Sequence, residues 1–170
     1  MQENEIVNRV ANSALVTLDL EDYVQDIPKV GLDIADFLFQ RILLREKDFR
    51  QFIKDHDWSQ YQDKAVHVFC GEDAIIPVWA YMLIVTKLET ATSIYTLGST
   101  VDLDRQIIDI SLAQIDLTQF ADGKVVIKGC SDLPMRDYAY FKVTQMLTPI
   151  VTSLMYGEPC STVPVFKKKK

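Results

Sequence analysis

The spacing of apolar and polar positions divides the chain into alternating strand and helix segments. Residues 13–20 alternate weakly and read as a strand at a sheet edge. Pro28 and Gly31 then punctuate a loop, and residues 33–44 carry Ile34, Phe37, Leu38 and Ile42 at helical spacing. A short helix over 46–54 places Phe49, Phe52 and Ile53 on one face. A strand follows at 65–71. The segment 74–88 reads as a helix capped by Asp73, with Pro77 confined to its first turns. It is apolar almost all the way round, which predicts burial on more than one side, with Trp79 and Leu83 deeply packed. Next come a strand at 93–98 and an amphipathic helix at 103–115, with Leu103, Ile107, Ile110 and Ile115 inward. A strand at 124–131 and a last helix at 137–156, bent at Pro149, complete the pattern.

Three successive strand–helix units predict right-handed crossovers and an α/β fold. The expected architecture is a mostly parallel sheet with helices on both faces and an antiparallel N-terminal edge strand. The strands at Cys70, Tyr95 and Cys130 are expected to be parallel neighbours in it. No internal repeat or linker shows, so residues 1–166 read as a single α/β domain and 167–170 as a basic tail.

Composition narrows the setting. The 170 residues suffice for a full core, and an apolar fraction of 48% with 25% charged residues is ordinary for a soluble globular protein. Four of the 18 basic residues are the terminal lysines, which leaves 14 against 24 acidic ones and a body charge of about −10. Such a surface repels phosphate backbones, which excludes a nucleic-acid groove on the body. The longest apolar stretch, residues 74–85, is shorter than the roughly 20 residues of a membrane span. The polar, acidic start is not that of a signal peptide, and an odd cysteine count then points to reduced thiols in the cytoplasm.

The candidate chemistry is thiol chemistry. Cys70 and Cys130 each close a strand ahead of a turn into a predicted helix, and in a parallel sheet ligands collect at the carboxyl ends of strands. Cys70-Gly71-Glu72-Asp73 sets a thiol before a helix N-terminus, where the dipole favours thiolate, while Glu72 and Asp73 oppose it. In Gly129-Cys130-Ser131-Asp132, Asp132 opposes thiolate in the same way. A bound cation reverses that logic, so Cys160, Asp132 and Glu72 stand as candidate cofactor ligands beside Cys130 and Cys70. No particular metal or cofactor is named by the pattern: the cysteine spacings, sixty and then thirty residues, are unlike a zinc ribbon. Topology argues for Cys160 at the opposite sheet edge, because a helix after the third strand returns toward the strands' amino ends. His56, between Asp55 and Asp57, is expected to have a raised pKa and is the candidate general base. The alternative is that all three cysteines are packing residues. Dinucleotide, phosphate-loop, nucleophile-elbow and zincin motifs are absent.

Four phrases carry a family resemblance: Glu5-Ile6-Val7-Asn8-Arg9-Val10-Ala11-Asn12-Ser13, His56-Asp57-Trp58-Ser59-Gln60-Tyr61, Val126-Ile127-Lys128-Gly129-Cys130-Ser131-Asp132 and Tyr156-Gly157-Glu158-Pro159-Cys160-Ser161-Thr162-Val163-Pro164. Over nearly its full length the chain resembles an uncharacterised bacterial family, domain of unknown function 2480. Genes of that family often stand beside those for sulfur-mobilising iron–sulfur cluster assembly. The resemblance therefore implies an accessory role, with iron–sulfur assembly proteins as partners, and assigns no catalytic residue. The rival expectation is a non-catalytic interaction module, a homodimer whose second copy covers surplus apolar surface on residues 74–85.

Charge alone yields one testable outcome. A variant lacking Lys167–Lys170 is expected to show no DNA or RNA binding by gel shift at low salt; tight, salt-sensitive binding would contradict the excluded groove.

Overall fold

Alternating apolar residues that end on an aspartate open both halves of the architecture. Leu15–Asp19 forms strand β1 and Lys29–Asp33 forms β2. In each, the terminal carboxylate turns back onto the chain: Asp19 accepts from the Glu21 N–H at 3.1 Å, and Asp33 from the Ala35 N–H at 2.9 Å. Each thereby caps a short 3-10 turn, Leu20–Asp22 or Ile34–Phe37. The structure, a computed structural model, describes residues 15–24, 26–129 and 132–169.

The remaining elements are α1 (Glu46–Asp55), β3 (Ala65–Phe69), α2 (Val78–Ala91), β4 (Ile94–Leu97), α3 (Thr100–Ala113), β5 (Lys124–Lys128), α4 (Arg136–Leu147), β6 (Ser153–Glu158) and β7 (Ser161–Lys167). They fall into two compact units, Asp26–Ile107 and Met1–Gln25 with Ile108–Lys170. The first holds an all-parallel sheet of order β2-β3-β4. Its Val66 and Val68 face α1 and α2 through Phe49, Ile53, Ala80 and Ile84. Ala65 and Ile94, on the other face, bury against Leu103 and Ile107 of α3, so helices cover both faces. The second unit holds a sheet of order β1-β5-β6-β7, parallel except for the β6–β7 hairpin. Its core joins Leu18, Val125 and Ile127 to Ile108, Leu112, Ala139 and Val143.

The α/β class and the parallel pairing stand as expected, and four details are corrected. The described residues form two sheets, so the Cys70 and Tyr95 strands (β3, β4) do not neighbour the Cys130 strand (β5). The N-terminal strand is an edge but runs parallel to β5, which lets Asp19 and Lys128 meet at a shared carboxyl end at 2.7 Å; the antiparallel edge is β7. The 33–44 helix is the turn Ile34–Phe37 followed by a tight reversal that bridges Phe39 to Leu43, with Gln40 and Arg41 at positive φ. The last helix stops at Leu147, and the chain continues into the β6–β7 hairpin.

Helix α2 begins only after Pro77, because the residue before a proline is disfavoured in helical conformation. It is not buried all round. Ala80, Ile84 and Leu88 are fully enclosed and Trp79 and Leu83 partly so, whereas Val78 and Met82 are 74% and 63% exposed.

The absence of an internal repeat is corrected as well. The registers Lys29↔Ala65 and Ala65↔Ile94 of one sheet match Leu15↔Lys124 and Lys124↔Ser153 of the other. Asp57 caps the turn Trp58–Tyr61 and Asp116 caps Leu117–Phe120, each accepting a backbone N–H at 3.0 Å. The core residues correspond too: Val66, Val68, Ala80, Ile84 and Leu88 match Val125, Ile127, Ala139, Val143 and Leu147, a constant offset of 59 (125 less 66). Leu-Asp-Ile-Ala-Asp-Phe at 32–37 echoes Leu-Asp-Leu-Glu-Asp-Tyr at 18–23. Each unit is thus a strand, capped turn, helix, second capped turn, strand, helix and strand, and only one of them adds β7.

Gly157 makes that addition possible. It lies in β6 at φ +110, and a Cβ there would stand 2.8 Å from the Ser161 carbonyl oxygen. Gly157→Ala is expected to destabilise the protein by about 1–3 kcal/mol, read as a lowered denaturant midpoint; an unchanged midpoint would mean the hairpin tolerates a side chain there.

Candidate functional site

The carboxyl ends of β2 and β3 meet at Asp33. Its carboxylate accepts the Gly71 N–H at 2.8 Å as well as that of Ala35, tying the loop after β3 to the end of β2. Burial alone would push this acid up; the two backbone donors and the Arg41 guanidinium outweigh it and hold it below the usual range. Arg41, poised by the reversal at 39–43, also reaches Glu72 at 2.9 Å and Asp36. Glu72, a candidate ligand by sequence, is thus the exposed partner of an arginine. Cys70 is half-buried, and its S–H donates to the Glu72 carbonyl at 3.3 Å. Because α2 starts at Val78, the thiol does not sit directly ahead of a helix N-terminus as expected.

His56 is held elsewhere in the same unit, among Phe37, Phe52, Trp58 and Tyr61. Its Nε2 is 2.9 Å from the Tyr61 hydroxyl and 3.1 Å from the Gln60 amide nitrogen. The expected rise in its pKa is reversed. Burial lowers it, and the opposing pull of Asp57 is smaller. Tyr61 is pushed up to about 12, by burial first and then by Asp57. The ring is spent on this aromatic box rather than offered to Cys70.

In the other unit the parallel strands end at Asp19, Lys128 and Glu158. The hydrogen bond from Lys128 chiefly holds Asp19 below the usual carboxylate range. Beside this edge a groove of about 570 Å³ runs between α4 and the sheet, lined by Ile127, Arg136, Tyr140, Phe141, Met155 and Tyr156. Tyr140 meets Tyr156 edge to face, with centroids 5.2 Å apart, and burial raises its phenol. Cys160 occupies the exposed two-residue turn between β6 and β7. Since β6 runs parallel to β5, that turn lies at the edge where β5 ends, not at the opposite one as expected. The hairpin brings it round. Asp132 is exposed in the loop before α4. Cys130 lies outside the described residues.

The thiols thus regroup. Cys70 ends a strand of one sheet, and Cys160 and the β5 terminus share an edge of the other. Among the described residues no group of three or more His, Cys, Asp or Glu side chains is placed to hold a metal ion. No helix among them is long and apolar enough to cross a membrane. The family model described as "Protein of unknown function (DUF2480)" matches residues 4–168. The chain belongs to this family. No curated protein and no solved structure matches it.

This DUF2480 chain holds a second groove that sequence reasoning missed. In the 26–107 unit about 280 Å³ is lined by Val68, Tyr81, Val85, Thr96 and Leu97. These stand at the same offset from Ile127, Tyr140, Thr144, Met155 and Tyr156 of the larger groove. The two clefts are one feature of the repeated plan. The signal was present as Ala80-Tyr81 and Ala139-Tyr140 in corresponding helices, each alanine four residues before a buried apolar position, Ile84 or Val143.

The His56 shift has a pH consequence. Because its folded pKa lies below the unfolded 6.5, the unfolded chain takes up the proton first, so this group's contribution is complete above that value and lost as pH falls beneath it. Urea midpoints measured from about pH 7.5 down to 5 are expected to fall for the native chain and to fall less for His56→Gln. Equal slopes would show that the box does not disfavour the imidazolium.

Proposed function

We propose that the protein is a non-catalytic protein-interaction module that works as a homodimer, joined through the α2 and β4 side of its 26–107 unit. The observation that carries this reading is the water-facing apolar stripe of α2, Val78 and Met82, with Leu97 of β4 exposed as well. Residues 78–86 carry no charge, so that segment brings no like charges face to face between two copies. The cysteines are packing and surface residues in this reading. Cys70 lies against the core of its unit, and its counterpart in the repeat is Gly129, so a thiol is no part of the shared plan. Nucleic acid is not among the partners. Sedimentation equilibrium at micromolar concentration is expected to give about twice the 19.4 kDa chain mass, with Met82→Glu shifted toward monomer; a monomeric native chain would overturn the reading.

A second reading is favoured by the placement of Cys160 at the edge where β5 ends. It is a cytoplasmic accessory factor in iron–sulfur cluster assembly or thiol metabolism, acting with iron–sulfur assembly proteins. Cys130, which follows Gly129 in the chain, would be its principal thiol, with Cys160 and Cys70 in support. Protein purified anaerobically is then expected to contain iron and acid-labile sulfide, lost in Cys160→Ser; their absence from the native chain would contradict it.

A further inference from the structure

The two halves of the repeat differ at one edge. β6 stands to β5 as β4 stands to β3, and on the far side of β6 lies the antiparallel β7, pairing Tyr156 with Val163. On the far side of β4 no strand is hydrogen-bonded among the described residues. Gly98 donates its N–H to the Val68 carbonyl at 2.9 Å. By alternation along the strand, the N–H and C=O of Tyr95 and Leu97 then point to the open side. Nothing in Ile94-Tyr95-Thr96-Leu97 guards that edge: it has no lysine, proline or inward charge. The 280 Å³ groove runs beside it, and its lining carries no charged residue. In the sister unit the corresponding groove has Val165 of β7 in its lining.

We propose that β4 is completed by β4 of a second copy, antiparallel across a two-fold axis, so that the two sheets become one continuous sheet. The inference rests on the homodimer reading and adds where the copies join. What the equivalent edge of β6 accepts is an antiparallel strand, and a strand paired with its own copy about a two-fold axis must run antiparallel. β4 is also self-complementary. Tyr95 and Leu97 share one face and Thr96 the other, with no charge to bring into register against its copy. Leu97, 61% exposed, and Val85, 42% exposed, are the apolar side chains this seam would cover.

Amide hydrogen exchange of the full chain, above and below its dimer dissociation concentration, tests the seam. Tyr95 and Leu97 are expected to exchange about tenfold or more slowly in the dimer, while Val163 on β7 is unchanged. Leu97→Lys is expected to weaken dimerisation about tenfold or more, and Val163→Lys, at an equally exposed strand position, to leave it intact. A dimer whose Tyr95 and Leu97 amides exchange as fast as in the monomer overturns the seam and leaves the homodimer reading standing. Protection that persists in the monomer also overturns it, since a segment of the same chain then covers the edge. A chain monomeric at every concentration overturns both.

Discussion

A parallel strand at the end of a sheet leaves one row of N–H and C=O groups without partners, and the whole architecture turns on how that row is treated. In the unit containing β5 and β6, the chain folds back as β7, and the hairpin requires a left-handed glycine at Gly157 to do so. In the other unit the corresponding strand, β4, is followed at once by α3. Among the described residues the shared plan thus gains an outer antiparallel strand beside β6 and none beside β4. In the proposed dimer that asymmetry is what the second copy would meet, an unpaired strand edge beside the exposed Leu97.

The repeat is held by small polar devices rather than by identical cores. Asp19 and Asp33 each end a strand, cap a turn and meet a cation, Lys128 in one case and Arg41 in the other. Asp57 and Asp116 cap the turns that lead into β3 and β5, and each accepts from a hydroxyl as well, Ser59 or Thr118. Between these fixed points the apolar residues vary in size while keeping their positions, as Ile84 and Val143 do. At the position of Cys70 the other half carries Gly129.

Much of this was legible from residue patterns, and the failures have physical causes. The strands at Cys70, Tyr95 and Lys124 and the helix around Phe49 and Ile53 come from period alone. β2 was hidden by Gly31, which reads as a loop residue but sits in a strand because its missing side chain makes room for His67 and Phe69. Ile34, Phe37, Leu38 and Ile42 have helical spacing, yet Asp33 diverts its backbone into a capped 3-10 turn. The hairpin of β6 and β7 was hidden because Leu154 and Tyr156 continue an apolar run out of α4. Gly157 and Pro159 also look like the end of a helix as much as a turn between strands. Of the site, His56 was legible as unusual but not in direction, since burial among four rings is a tertiary fact. The grooves were invisible because the lining of each comes from four separate elements.

The most direct test of the open edge is an isotope-filtered nuclear Overhauser experiment on a mixture of nitrogen-15- and carbon-13-labelled chains. Intermolecular contacts between the Tyr95 and Leu97 amides of one copy and β4 of its partner are the predicted result. Intermolecular contacts confined to other surfaces, or none at all, would contradict it.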